Sequence, residues 1–389
     1  MHIAMIGQKG IPARFGGVER HVHDLSTQLV KQGIAVTVYS RAWYTQGKDE
    51  TVEGVMVKLI PTLRSKHLDT IVHTFLSTIH AMWHTVDIIH YHGIGPSLVS
   101  WLPRLFTPHI TIITTFHSVD RKHEKWGWFA RTILKFAEWT ACTFAHRTIA
   151  ISTTIAQYAR DVYDTETAYI PNGICTAQSY YGSNALAPWN VVPGKYIIMV
   201  SRLIPHKGAH YLIDGFLQAK KQAALADIKL VVVGDGFHTD EYVASLKEKT
   251  NKHPDIIFTG FLEGDALKQL TAHARLMVHP SDQEGLPVTV LEGMSYGLPV
   301  LLSDIPEHKQ LLQKEQWLFR QGNPTHLTKQ LISILNADHA VLEESGEQNR
   351  TFVNTSYNWE ILVHRVIETY KETQAIQMLR KQTVVQITK

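Results

Sequence analysis

Glu284-Gly285-Leu286-Pro287-Val288-Thr289-Val290-Leu291-Glu292 decides the architecture of this chain. Just upstream, the apolar run Leu276 to His279 stops at Pro280 and reads as a short buried strand. The nonapeptide then passes from a loop, through a proline suited to the first helical position, into a helix. A strand-loop-helix turn of this kind points the free N–H groups of a helix N-terminus into a crevice, where they favour an anion. Glu284 is expected at that mouth, with Glu292 about two turns further on and on much the same side. Phosphate recognised by backbone donors, together with hydroxyls recognised by carboxylates, describes a sugar nucleotide. Two glutamates eight residues apart are also found on ordinary solvated helices, so the spacing gains meaning from Gly285-Leu286-Pro287 between them and Gly297-Leu298-Pro299 after them.

Outward from this turn, the chain alternates short apolar runs with helical patterns. His2–Gly7, Ala35–Ser40, Val55–Leu59, Asp87–Tyr91, Ile110–Phe116 and Thr148–Ser152 read as strands of the continuous apolar kind found in parallel sheets. Helical patterns lie between them, notably Gly17–Gln32, Asp69–Thr85 and Gly127–Ala145. Alternation lapses from Tyr169 to Gly194, where Ile170-Pro171-Asn172-Gly173 is a turn signal. It resumes with Tyr196–Ser201, Lys229–Gly234, Ile256–Thr259, Arg275–His279 and Pro299–Ser303. The reading is α/β, with two Rossmann-like, doubly wound domains at about residues 1–180 and 181–371 and a ligand cleft between the carboxyl ends of their strands.

Composition bounds the function. The 389 residues suffice for two full cores, and 44% hydrophobic with 19% charged content is that of a globular protein. No run approaches the roughly 18 apolar residues needed to cross a bilayer. The chain enters a strand at once, with no export signal, and its only cysteines are Cys142 and Cys175, so a cytoplasmic protein is expected. A net charge of +3 gives no reason to expect nucleic acid as a partner.

Other loops carry charge and glycine to strand ends. Ser201-Arg202-Leu203-Ile204-Pro205-His206-Lys207-Gly208 brings two cations, Arg202 and Lys207, to the first strand end of the second half. A diphosphate leaving water needs such partners, although two basic residues alone are as readily solvated surface cations. Gly234-Asp235-Gly236 and Gly260-Phe261-Leu262 close later strands, either as plain turns or as a backbone platform for a flat base. In the first half, Gly16 and Gly17 end a loop at a helix start, without the G-x-G-x-x-G spacing of dinucleotide enzymes. Thr115-Phe116-His117-Ser118 puts His117 at another strand end.

These motifs resemble retaining glycosyltransferase family four, whose signature is similar to Ser281 to Pro299 and whose architecture is GT-B. The resemblance covers both halves. It implies that Glu284 contacts the donor sugar and Glu292 the ribose hydroxyls. Arg202 and Lys207 would bind the donor pyrophosphate, Gly16 and Gly17 a phosphate from the first domain. Gly285, Leu286, Pro287 and Val288 would lie along the donor, with Gly234, Phe261 and Leu262 beside the base. His117 would sit near the sugar, and its carbonyl with Glu284 would face positive charge on the ring. The last helix, about Asn358 to Lys381, is implied to return to the first domain, which takes in the stretch of about 372–389.

The implied reaction moves a sugar from a nucleotide diphosphate to a hydroxyl acceptor with retention, in assembly of a bacterial surface polysaccharide or glycan. No cofactor is expected beyond this donor substrate. A nucleotide-sugar 2-epimerase of the same architecture and a catalytically silent sugar-nucleotide-binding subunit are the alternatives. His90-Tyr91-His92 and His21-Val22-His23 invite a metal, but neither pair has further ligands spaced to complete a set, and no Asp-x-Asp is present. Metal independence is expected. The basic and aromatic stretch Arg121 to Arg131 suits an anionic membrane surface, or else a partly buried helix with solvated ends. With a membrane would come a lipid-linked acceptor. Acceptor choice is expected to lie in Arg41–Glu50 and Gly93–Ser97, which carry no legible pattern, and neither the sugar, the base nor the oligomeric state can be read.

Overall fold

The computed structural model describes residues 1–14, 16–45, 50–62, 68–119, 121, 127–175, 182–221, 225, 227–236, 239–312 and 317–387, the last five by backbone only. They form two compact units: Met1–Cys175 with Trp359–Lys389, and Thr176–Asn358. The division falls at 175/176 and 358/359, against expected limits of 180/181 and 371/372. The second difference has a packing cause, because the whole of the terminal helix Trp359–Ile387 belongs to the first unit from its first residue.

In the first unit the strands are β1 (His2–Ile6), β2 (Ala35–Arg41), β3 (Glu50–Val52), β4 (Val55–Ile60), β5 (Ile88–His92), β6 (Thr111–Phe116), β7 (Arg147–Ala150) and β8 (Ala168–Tyr169). They lie in the order β3-β4-β2-β1-β5-β6-β7-β8, and only the β3–β4 pair is antiparallel. Residues of β1, β5 and β6 are buried almost throughout, which is why these strands read as unbroken apolar runs. One side of the sheet is closed by Val22, Leu25 and Leu29 of helix Gly17–Lys31 and by Trp359, Leu362, Val363, Val366 and Tyr370 of the terminal helix. That helix is held by polar contacts as well. Tyr370 Oη meets His90 Nδ1 at 2.7 Å, and Thr111 Oγ1 donates to Gln377 Oε1 at 2.6 Å. Gly173 makes room for the Trp359 ring, since a Cβ there would stand 2.5 Å from it.

The second unit contains β9 (Tyr196–Val200), β10 (Lys229–Val233), β11 (Ile256–Gly260), β12 (Leu276–His279), β13 (Val300–Ser303) and β14 (Leu318–Phe319). Their order is β11-β10-β9-β12-β13-β14, all parallel. Chain order reverses direction at β9, so the crevice outside the carboxyl ends of β9 and β12 is the switch point of a doubly wound sheet. The corresponding point of the first unit lies at β1 and β5. Strands β3, β8 and β14, of two or three residues, carry no periodicity and escape the sequence pattern.

Candidate functional site

At the switch point of the second unit, three loops are tied together by backbone. After β9 the chain makes a tight turn over Pro205–Lys207 and enters helix Ala209–Ala219 at Gly208, whose φ is 73°. Asp282 N–H donates to the His206 carbonyl at 2.8 Å, which fixes the loop after β12 against the loop after β9. Ser303 at the end of β13 donates its hydroxyl to the Ser281 carbonyl. Sequence neighbours of three different strands thereby meet at one sheet edge.

Glu284 is the centre of this edge. Its side chain is 7% exposed and forms an ion pair with Lys207, itself 14% exposed. His279, the last residue of β12, donates Nε2–H to the same carboxylate oxygen at 2.8 Å. The His308 ring stands 5.4 Å from the His279 ring and is anchored by Ser303, whose hydroxyl and carbonyl oxygens each lie 3.0 Å from Nδ1. Burial works to push the Glu284 carboxyl up, but the Lys207 ammonium, the His279 hydrogen bond and the His308 ring hold it well below the usual carboxylate range. Burial pushes His308 down to about 3, aided by the His279 ring. The result is an ionised carboxylate and a neutral imidazole across physiological pH. Among the described residues, His279 Nδ1, His308 Nε2 and the Ser281 hydroxyl are buried here without hydrogen-bond partners. Unpaired polar atoms concentrated at one edge are what a polar ligand site presents when nothing is bound.

The remaining candidates distribute around this centre. Helix Val288–Ser295 begins one residue later than expected, with Pro287 just outside it at φ −76° and ψ 100°, so Pro287 delivers the chain into the helix instead of starting it. Glu284 therefore stays in the loop, and Glu292 lies half-buried in the second turn of the helix. Gly285 is half-buried, and Leu286 and Val288 are buried beneath the loop. Arg202 is exposed and makes no ion pair among the described residues, unlike Lys207. Gly234 follows β10 and bridges to Gly260 through an N–H···O bond of 2.9 Å. Beyond Gly260, Phe261 is 50% exposed at the end of the edge strand β11, with Leu262 half-buried behind it.

In the first unit, Gly16 precedes helix Gly17–Lys31 with φ 103°. The Glu19 carboxylate folds back to this helix start and accepts from the Lys9 N–H at 3.2 Å, a partner the sequence did not announce. His117 follows β6 and is 7% exposed. His92 at the end of β5 reaches it, Nδ1 to Nε2, at 3.3 Å, and the other His92 nitrogen lies 3.2 Å from Met5 Sδ. A thioether only accepts, so His92 Nε2 carries the proton, His117 donates to the bare His92 Nδ1, and His117 Nδ1 keeps a free lone pair. His21 packs edge-on against His117 with ring centres 4.7 Å apart. Burial, then the neighbouring imidazoles, hold His92 and His117 well below the ordinary histidine value, and burial brings His21 to about 4.

Two expectations change here. The further metal-type ligands that looked absent do exist, because the fold assembles His21, His92 and His117 from a helix and two strand ends. Arg121, which the sequence alone offers as a surface cation, is half-buried and paired with buried Glu138 at 3.0 Å and with Tyr158. Lys122, His123, Glu124, Lys125 and Trp126 lie outside the described residues, as do Phe15 and residues 46–49 of the loop Arg41–Glu50. Gly93–Ser97 forms a short turn of helix, Ile94–Ser97, and is largely buried.

Residues 190–372 match the family described as glycosyl transferases group 1, and residues 15–178 match glycosyltransferase family 4. An uncharacterized glycosyltransferase of Methanocaldococcus jannaschii is 28% identical over 180 residues, 46% of this chain and 45% of that protein. An O-antigen chain mannosyltransferase C of Escherichia coli is 23% identical over 78% of this chain and 80% of its own. The matched segments span 45%, 26% and 25% of the length of three curated relatives, the Methanocaldococcus jannaschii protein first among them. Among solved structures, a sucrose-phosphate synthase of Thermosynechococcus elongatus superposes with a TM-score of 0.83 at 22% identity, covering 96% of this chain and 99% of that one. The Anabaena protein HepE, solved with UDP-glucose, gives 0.77 at 21% identity over 96% of this chain and 100% of that one. At these identities the likeness is one of fold, and the fold is GT-B.

Proposed function

The chain belongs to the glycosyl transferases group 1, and on that premise we propose that it moves a sugar from a nucleotide diphosphate to a hydroxyl acceptor with retention of configuration. The observation that carries this reading is the ionised Glu284 held between Lys207 and His279 at the switch point of the second unit. A departing sugar gains positive charge on its ring while the diphosphate gains negative charge. Glu284 supplies the negative group for the first. Lys207, Arg202 and the N–H groups opening helix Val288–Ser295 supply positive charge for the second. Lys207 has three N–H donors, so it serves a phosphate oxygen without wholly abandoning Glu284.

Glu292 is assigned to the ribose hydroxyls, and exposed Phe261, with Leu262 and Gly234, to the base. The free lone pair of His117 and its carbonyl serve the sugar, and the N–H groups at Gly16 and Gly17 serve phosphate. No metal is assigned to the transfer, and the leaving phosphate takes the acceptor proton on the same face. The UDP-glucose bound by the Anabaena protein of like fold supports a nucleotide-sugar donor. The O-antigen relative supports a bacterial surface glycan as the product.

A lipid-linked acceptor at the inner face of the membrane belongs to the same proposal. Helix Trp128–Thr143 exposes Trp128 at 82%, Phe129 at 69%, Phe136 at 51% and Trp139 at 42%. At about 100° per residue these four fall on one stripe, with Arg131 and Lys135 along its edge. Aromatic rings beside cations suit the headgroup layer. None of the described helices is long and apolar enough to cross a membrane.

Incubation with radiolabelled nucleotide sugars and a membrane extract tests the proposal. Label on a glycan or lipid with release of free nucleotide supports it. An isomerised donor indicates epimerisation, and donor binding without turnover indicates a silent subunit.

A further inference from the structure

Three imidazoles from distant parts of the first unit converge in its interior: His21 on helix Gly17–Lys31, His92 at the end of β5 and His117 after β6. One ring nitrogen of each lies within 4.8 Å of the other two, and all three side chains are buried. The structure assigns this cluster as a binding site for one divalent transition-metal ion of the zinc class, held by three imidazoles with a fourth position open.

The distances suit an ion. Two nitrogens each about 2.05 Å from a tetrahedral ion stand about 3.3–3.4 Å apart. His92 Nδ1 and His117 Nε2 are 3.3 Å apart, so that edge of the tetrahedron already exists. His21, whose ligand nitrogen lies within 4.8 Å of the other two, supplies the third corner by drawing in by up to about 1.5 Å toward that spacing. His21 Nδ1 is buried outside hydrogen-bond geometry, with the Asn172 side chain interacting with its ring, and the pairing of His92 with His117 leaves it out. A metal ligand must be a neutral imidazole, and burial together with mutual proximity keeps these rings uncharged. Met5 Sδ, 3.2 Å behind His92 Nε2, orients that ring with Nδ1 forward. Three nitrogen donors and no carboxylate select zinc, cobalt, nickel or copper over magnesium or calcium.

The other histidine and carboxylate group, His279, Glu284 and His308, is different, because the Lys207 ammonium already supplies its cation. Occupancy of the three-histidine site has a chemical consequence for His117. The ion takes the Nε2 lone pair, the ring proton moves to Nδ1, and the lone pair that His117 otherwise offers is lost. Zinc is thus an inhibitor at this site and no participant in transfer.

The test is titration of the chelator-treated full chain with Co2+, followed by visible absorption, and then with Zn2+ by calorimetry. The expected result is one ion per chain, intense four-coordinate Co2+ bands, and displacement by Zn2+. His21→Gln leaves the His92–His117 pair in place and should weaken binding at least tenfold; His92→Asn, checked for folding by circular dichroism, should do the same. The half-buried His80 and exposed His84 rings are stacked one turn apart and could bind ions themselves, so His84→Ala should leave the bands unchanged. Absence of stoichiometric four-coordinate bands overturns the assignment, as does binding that survives both His21→Gln and His92→Asn. Nitrogen-15 spectra give a second readout, with the His117 proton moving from Nε2 to Nδ1 on Zn2+ addition, and an unmoved proton also counts against the site.

Discussion

Gly208 approaches Pro280 so closely that a Cβ at its position would stand 2.1 Å from the Pro280 carbonyl oxygen. The loop after β9 and the loop after β12 are therefore in backbone contact at the point where Lys207 and Glu284 pair. Gly208→Ala meets this carbonyl and also a φ of 73° that side chains disfavour. We expect a loss of roughly 1–3 kcal/mol in urea denaturation. We also expect weaker binding of nucleoside diphosphate by calorimetry, because the loops must part. Unchanged affinity would separate the contact from the ligand site.

Lys207→Met leaves a nearly buried carboxylate without its cation, a change that costs about 3–5 kcal/mol. Adding Glu284→Gln in the double variant should recover much of that loss, since the uncompensated charge is gone. A double-mutant cycle by denaturation measures the coupling. Additive effects would mean the two groups do not interact in solution.

Stability should fall on the acid side, and the signs agree for two kinds of group. Glu284 has a depressed folded value, so its contribution is full above the ordinary carboxylate range and is lost as pH falls through the folded value. His308 and the fully buried His73 are pushed down by burial to about 3 and about 4, so each resists protonation that the unfolded chain accepts below about 6.5. Each buried histidine then costs about 1.4 kcal/mol per pH unit between about 6.5 and its folded value. Melting points measured from pH 8 to pH 4.5 should hold steady and then drop below about 6.5, less steeply in His73→Leu.

Trp128→Ser with Phe129→Ser removes two of the most exposed rings from helix Trp128–Thr143 without touching its buried Ala137, Glu138 and Ala141. Flotation with anionic vesicles should decrease severalfold while the melting point stays within about 1 °C, as expected for surface substitutions. Equal flotation of both proteins would remove the membrane from the proposal.

Much of the fold is legible because buried parallel strands announce themselves as unbroken apolar runs, and 11 of the 14 strands among the described residues fall where those runs lie. What fails is what depends on distant partners. The spacing of Trp359, Leu362, Val363, Val366, Ile367 and Tyr370 says that one helix face is buried, but nothing local says against which sheet. The candidate site divides in the same way. Glu284 and Lys207 are legible because glycine and proline frame them. His279 could be found as a strand's last residue, five before Glu284. His308 could not, since its place depends on β13 lying beside β12. The three-histidine cluster is not legible at short spacing, because the fold gathers its members from positions 21, 92 and 117.

The terminal helix has a temporal consequence. Thr111 and His90, in the middle of the first sheet, take hydrogen-bond partners from Gln377 and Tyr370, which leave the ribosome more than 260 residues after them. The second unit is continuous in sequence and can mature while synthesis is still under way. The first must wait, its sheet half-clad, until the far end of the chain arrives. Slow elongation or premature termination beyond residue 358 would then leave a finished nucleotide module joined to an unfinished partner, the form most exposed to aggregation and proteolysis.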